Sequence, residues 1–296
     1  MSAVVPGESG ITAGTPEVGT RGGGERSAHD RRSRGGDGAR WPVLIELGGM
    51  VVLLFRAIRR GLAPPLDIGP ELVGQLRFTA AVAWPSLVLM AFALSFGPVG
   101  IQGADFLGLF GAFDRLGGIY VLTNVREIAP LAAGIVLAGV VGTAICADIG
   151  ARVVREEIDA LEVLGVDTIK AIVAPRLFVL VGVALPFMIV SLIASMMGGL
   201  LVVFENHASV GPFLSDFFAN ATTLEFAAAA IKTVIFGAVV AIVCCYKGLH
   251  VSGGAEGVGR AVNQSVVICF LAIGAIDYAF TQALLATHPI LSEVRG

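Results

Sequence analysis

Four ionisable residues, Arg126, Glu127, Lys232 and Asp277, stand in stretches too apolar to solvate them. A charge at the centre of a bilayer costs about 2.5–3.5 kcal/mol on insertion scales, so such residues pair with one another or handle charge for a purpose: a proton relay, an ion path or contact with a polar headgroup. Glu127 is the partner expected for Lys232, because both fall in the same half of the membrane in the topology derived below. That pair has two readings, a functional polar site and a static ion pair between helices. For Asp277 the sequence identifies no partner.

The other reactive side chains build no catalytic set. Cys146, Cys244, Cys245 and Cys269 all fall in apolar runs without metal spacing, so they read as buried structural thiols. His29, His207, His250 and His288 are scattered, and no nucleophile is matched with a base. The phosphate-loop pattern G-x-x-x-x-G-K-[ST] is absent. Its nearest approach, Gly253–Gly259 (GGAEGVG), is followed by Arg260 and reads as a flexible turn. No metal, cofactor or ATP site is expected in this chain, and it is not expected to be an enzyme. Energy-dependent work would need a partner to supply the energy.

The elements that must carry the buried charges are membrane helices. Hydrophobic residues make up 55% of the chain and charged residues 15%, with a mean hydropathy of +0.84; a soluble domain has roughly 25% charged residues. The apolar runs are about 20 residues long, which suits helices crossing a bilayer, whereas a membrane β-barrel would alternate over about 10. The expected class is therefore an all-α polytopic membrane protein with five spans, at about Leu76–Val99, Val121–Ala147, Lys170–Phe204, Phe226–Tyr246 and Val262–Leu285. The third is too long for one perpendicular crossing, and Pro175 and Pro186 fit a start in the interface and a bend.

Two segments precede the spans. Met1–Arg40 is rich in Gly, Ser and Arg and has no aromatic residue, so it is expected to be a disordered tail. Glu8, Glu17, Glu25, Asp30 and Asp37 dilute its arginines, which argues against a nucleic-acid arm. Trp41–Leu62 has Trp at one end and Arg56, Arg59 and Arg60 at the other, and reads as a helix lying in the interface. The alternative, an extra span, would invert everything after it. With five spans, sixteen of the 20 Lys and Arg fall on one side, which the positive-inside rule makes cytoplasmic. The N-terminus is then cytoplasmic and the C-terminus outside. In the second span Gly134, Ala138, Gly142, Cys146 and Gly150 form a small-residue ladder on one helix face, a signature of close helix packing in lipid.

Charge concentrates in the loop Asp148–Arg176 (DIGARVVREEIDALEVLGVDTIKAIVAPR). Ile158, Leu161 and Leu164 recur at helical spacing, Glu156, Glu157, Asp159 and Glu162 lie on the other sides, and Gly165 is placed as a C-terminal cap. A short acidic helix between two spans is either a docking element for a soluble partner or a solvated loop.

These residues resemble a known family. REIAP (Arg126–Pro130), GVVGTAICADIG (Gly139–Gly150), REEIDALEVLGVD (Arg155–Asp167) with Pro175-Arg176, and YKGLHVSGGAEGVGRAV (Tyr246–Val262) are similar to the MlaE/YrbE permeases, from about Trp41 to the end of the fifth span. The CAD and CYKG variants look most like the actinobacterial YrbE branch. The resemblance implies an MlaE-like permease fold and the role of transmembrane subunit in an ABC transporter that moves lipids across the cell envelope with MCE-domain proteins. A second YrbE-type subunit and a cytoplasmic ATPase dimer, which holds the ATP and Mg, are the implied partners, in the inner membrane. It makes Trp41–Leu62 an elbow helix and 63–296 a permease domain. It makes the segment at about 152–166 a coupling helix, with Arg155, Glu156, Glu157, Asp159, Glu162, Gly165 and Asp167 meeting the ATPase. It places Arg126, Glu127 and Lys232 near a lipid pocket at a dimer interface. Thr168 departs from the Pro of many members, which implies a slightly different exit from the coupling helix. A proton-coupled secondary transporter and a structural scaffold are the rival readings; the sequence lacks the internal repeats that many secondary transporters show.

The charge count makes a topological prediction. Reporter fusions are expected to place Gly253 in the cytoplasm and Gly296 outside; both on one side would mean that Trp41–Leu62 spans the bilayer.

Overall fold

The computed structural model describes residues 41–63 and 69–288. The expectations for the Met1–Arg40 tail and the C-terminal Gly296 lie outside them. The chain divides into two compact units, Met1–Glu46 and Leu47–Gly296. Of the first unit only Trp41–Glu46 is described, as the start of the helix Trp41–Gly61.

Every regular element among the described residues is helical, and five helices are long and apolar enough to cross a membrane: Leu72–Leu109, Phe113–Val154, Ile169–Glu205, Thr223–Leu249 and Gly254–Thr287. They match the five expected spans but run further. The second begins at Phe113, so Arg126 and Glu127 lie roughly three and a half turns inside it rather than at its start. Gly253 and Gly254, at φ +89° and +67°, make the only turn in the GGAEGVG stretch. The remainder is the first two turns of the fifth span and not a flexible loop, because Glu256 at its N-terminus suits the helix dipole and pairs with Arg260 one turn on at 2.7 Å.

The fourth span is the packing centre, with 67% of its most apolar stretch buried against 22% in the first span and 17% in the fifth. Small residues make this possible. A Cβ built on Gly142 would come 2.7 Å from Cys244 Sγ and 3.1 Å from Val240 Cγ1, and one on Gly134 would come 2.9 Å from Phe236 Cδ2. From the other side, a Cβ on Gly248 would come 3.1 Å from the Cys146 carbonyl oxygen, and one on Gly237 would come 2.7 Å from that of Leu180 in the third span. Ala138 and Cys146 are fully buried in the same seam. The ladder therefore joins the second span to the fourth at backbone distance.

Two short helices sit at the ends of the bundle. The loop helix Glu157–Val163 joins the second and third spans. At the opposite end the helix Val210–Asn220, which the sequence reading did not foresee, lays Phe213 and Phe217 into a second core cluster. There the Tyr120 and Phe213 rings meet edge to face at 5.3 Å, the Gly118 N–H donates to Asp216 at 2.6 Å, and the Tyr120 hydroxyl donates to the Ser95 carbonyl at 2.9 Å.

Gly142→Val is expected to destabilise the protein by about 1–3 kcal/mol through overpacking. Gly139→Val, where the nearest atom to a new Cβ is 4.0 Å away, is the control expected to leave it unchanged. Thermal unfolding midpoints of the two variants in detergent check the difference.

Candidate functional site

The expected Lys232–Glu127 pair forms, at 3.3 Å, but it is part of a larger assembly. The Lys232 side chain is 1% exposed, and its ammonium also lies 2.9 Å from Asp277 Oδ1. It donates to Thr281 Oγ1 and to the Arg126 carbonyl, each at 2.9 Å, and Thr281 Oγ1 in turn donates to Glu127 at 2.8 Å. Asp277, unpaired in the sequence reading, is thus the second carboxylate beside Lys232. Its Oδ1 makes a close ion pair without hydrogen-bond alignment, and its burial in the fifth span is explained by that ion.

Pro130 explains one of these contacts. It has no N–H to give the Arg126 carbonyl four residues back, and Lys232 Nζ donates to that oxygen. The surrounding segment Val121–Ile128 winds as a π-helix, a widening often found at functional sites.

Beside this cluster Arg126 forks onto Glu225, Nη2 to Oε1 at 2.5 Å and Nε to Oε2 at 3.2 Å. Both side chains are buried, at 9% and 2% exposure. Thr222–Glu225 has the spacing of a helix capping box, and the Thr222 hydroxyl does accept from the Glu225 N–H at 3.3 Å. The Glu225 carboxylate serves Arg126. The second, fourth and fifth spans are therefore joined by three ion pairs, with charges that satisfy one another rather than a nucleophile and base. Among the described residues no group of three or more His, Cys, Asp or Glu could hold a metal ion.

The far end of the second span carries the loop. Its first and last residues, Asp148 and Arg176, pair at 2.5 Å, and Arg176 also donates to the Ile172 carbonyl at 2.7 Å. Gln75, Phe78, Ala144 and Ile145 line a cavity of about 260 Å³ with them. The loop helix is shorter than expected. The second span continues to Val154, so Arg152 belongs to it, and Arg155 and Glu156 form the turn, Glu156 in the left-handed region at φ +59°. Gly165, at φ +78°, closes the helix as predicted, through bonds from the Gly165 N–H to Glu162 and the Val166 N–H to Leu161. Leu164 does not join Ile158 on the inner face. It is 77% exposed beside Val163 at 88%, because the cap turns the chain outward there.

The exit from the loop is held by side chains. Asp167 accepts from the Ile169 and Lys170 N–H groups and pairs with Arg60 at 2.8 Å, and the Thr168 hydroxyl donates to Glu162 at 3.2 Å. Lys170 Nζ donates to the Ala63 carbonyl at 3.0 Å. Glu157 pairs with Arg155 at 2.7 Å, while Asp159 and Glu162 are exposed.

A family model described as the MlaE permease matches residues 72–283, which contain every residue of the cluster and the loop. The chain belongs to the MlaE permease family. This permease is similar to a probable ABC transporter permease protein of Synechocystis, with 38% identity over 225 residues covering 75% of this chain and 81% of that one. It is similar to another in Rickettsia conorii, with 30% identity covering 80% and 91%. It is also similar to the Arabidopsis thaliana chloroplast protein named trigalactosyldiacylglycerol 1, with 28% identity covering 72% and 58%. The chain is thus an ABC permease subunit, a transport component embedded in the membrane. That membership sets aside the secondary-transporter and scaffold readings.

Two partners in this MlaE permease escaped the sequence reading. Glu225 was hidden by its capping-box spacing. Asp277 was visible as a buried acid, but one turn from Thr281 on a different helix from Lys232 it had no spacing to betray its partner. Glu225→Gln is expected to cost about 3–5 kcal/mol, since it removes the carboxylate from a buried ion pair with the Arg126 guanidinium. Glu127→Gln should cost less, because Asp277 still faces Lys232. The fraction of protein that stays soluble after heating in detergent ranks the two.

Proposed function

We propose that this MlaE permease moves a lipid across the cell envelope. In this reading two permease subunits pair and a cytoplasmic ATPase dimer docks on the loop helix. MCE-domain proteins meet the opposite end. The observation that carries the reading is the placement of two unlike sites along one helix. The buried ionic cluster lies about a third of the way along the second span and the loop helix beyond its far end, roughly 40 Å apart at the rise of a helix. A cargo site and a motor site in an ABC permease need such a separation. Exposed apolar faces of the first and fifth spans suit a second subunit and acyl or sterol tails, while the cluster supplies the polar end. The name of the Arabidopsis relative contains a glycolipid, which supports a lipid cargo.

At the loop end, Val163 and Leu164 offer apolar contact and Asp159 and Glu162 offer charge to a basic groove. In this reading the permease lies in the inner membrane with the loop end and the N-terminus in the cytoplasm and the C-terminus outside, which the distribution of basic residues supports.

Two experiments test the reading. Glu157→Lys with Asp159→Lys is expected to release the ATPase while leaving membrane insertion intact, since one lost charge pair at an interface costs about 2–5 kcal/mol. Normal copurification and transport would make the loop helix a solvated loop. For the cargo site, Lys232→Met with Glu127→Gln and Asp277→Asn removes the ion cluster without stranding a charge. This triple variant is expected to assemble but to lose most lipid uptake, measured in cells with labelled lipid. Full uptake would make the cluster a packing device only.

A further inference from the structure

The helix Trp41–Gly61 presents three different faces over its described second half. Met50, Leu53, Ala57 and Gly61 are buried; a Cβ on Gly61 would come 2.5 Å from Phe178 Cε2 and 2.9 Å from Ala174 Cβ, so this face is seated on the third span. Val51, Phe55, Ile58 and Leu62, spaced four, three and four residues apart, form a second, exposed stripe, with Phe55 at 68% exposure. A stripe of that length on a helix already docked by another face is lipid-facing. Arg56 and Arg59 lie next to it on the third face, both exposed and neither in an ion pair among the described residues. Arg60, the next basic side chain, is already engaged by Asp167.

The apolar stripe fixes the depth of the arginines. With Phe55 and Ile58 in the acyl region, guanidinium groups on residues adjacent to them reach the headgroup layer by extending their stems along the helix. Two fixed positive charges in that layer attract headgroups of net negative charge, by about 1 kcal/mol each. We propose that Arg56 and Arg59 form a binding site for the headgroups of anionic phospholipids. The site lies within two turns of the Arg60–Asp167 and Lys170–Ala63 contacts that tie this helix to the exit of the loop. An anionic lipid bound there occupies the junction between the membrane surface and the loop helix, separate from the buried cluster further along the second span.

The test uses the full-length permease with its partner subunits in phosphatidylcholine nanodiscs, with phosphatidylglycerol and phosphatidylcholine probes carrying the same photoreactive group near the carbonyl end of one acyl chain. Labelling of the segment 47–63, read by peptide mass spectrometry, is expected to favour phosphatidylglycerol on the order of tenfold at low salt. The preference should fall as salt rises. R56Q with R59Q is expected to abolish it, and R56K with R59K to keep it. Equal labelling by the two lipids, or a preference unchanged in the glutamine variant, would overturn the proposal. So would loss of the preference in the lysine variant. Release of the ATPase by the glutamine variant, with lipid labelling unaltered, would assign the arginines to a protein partner instead.

Discussion

An ammonium ion buried among apolar helices has to be met wherever it is, and Lys232 sets the arrangement around it. Its partners come from two other spans: Glu127 and the Arg126 carbonyl from the second, Asp277 and Thr281 from the fifth. In water each of these contacts would be worth little, but in a low-dielectric interior an unmet charge is too costly to tolerate. The helices are therefore held in one rotation and one register relative to each other. Sliding any of them by one turn would strand an ion. The neighbouring Arg126–Glu225 fork repeats the constraint between the second and fourth spans, so two independent ionic contacts fix the same crossing.

Small side chains make that crossing close enough. Apolar packing gives little net drive between helices in lipid, so contact depends on how near the backbones come. Gly134 and Gly142 on the second span, and Gly248 on the fourth, leave gaps that side chains or backbone of the facing helix fill to within van der Waals distance. Polar contacts at one end and glycine contacts along the length make the second and fourth spans a single unit. The outer spans, one and five, keep most of their surface exposed, which leaves them free to meet lipid or another subunit.

The loop end is organised by a different principle. Its charges are mostly exposed, and exposed pairs contribute at most about 1 kcal/mol each. Geometry is set instead by capping: Gly165 in the left-handed conformation, Asp167 accepting two backbone N–H groups, and Asp148 joined to Arg176 across the base of the loop. The result is a short helix whose acidic and apolar side chains project outward from a clamped base, with the Trp41–Gly61 helix tied to the same exit through Arg60.

How much of this is legible without coordinates follows from the range of each interaction. The spans, the small-residue ladder, the Gly165 cap and the acidic loop all rest on local spacing, because membrane helices satisfy their backbones within themselves and mark their lengths in apolar runs. Lys232–Glu127 was also within reach, since topology alone puts both at similar depth. The π-helical turn at Val121–Ile128, the Val210–Asn220 helix, the outward Leu164 and the partnerships of Glu225 and Asp277 were not. Each depends on which face of one helix meets which face of another. Local pattern specifies that a residue is buried and on which side of its own helix it lies. The rotation between helices more than a hundred residues apart in sequence is decided by packing and by the need to neutralise buried charge, and those terms exist only once the helices are together.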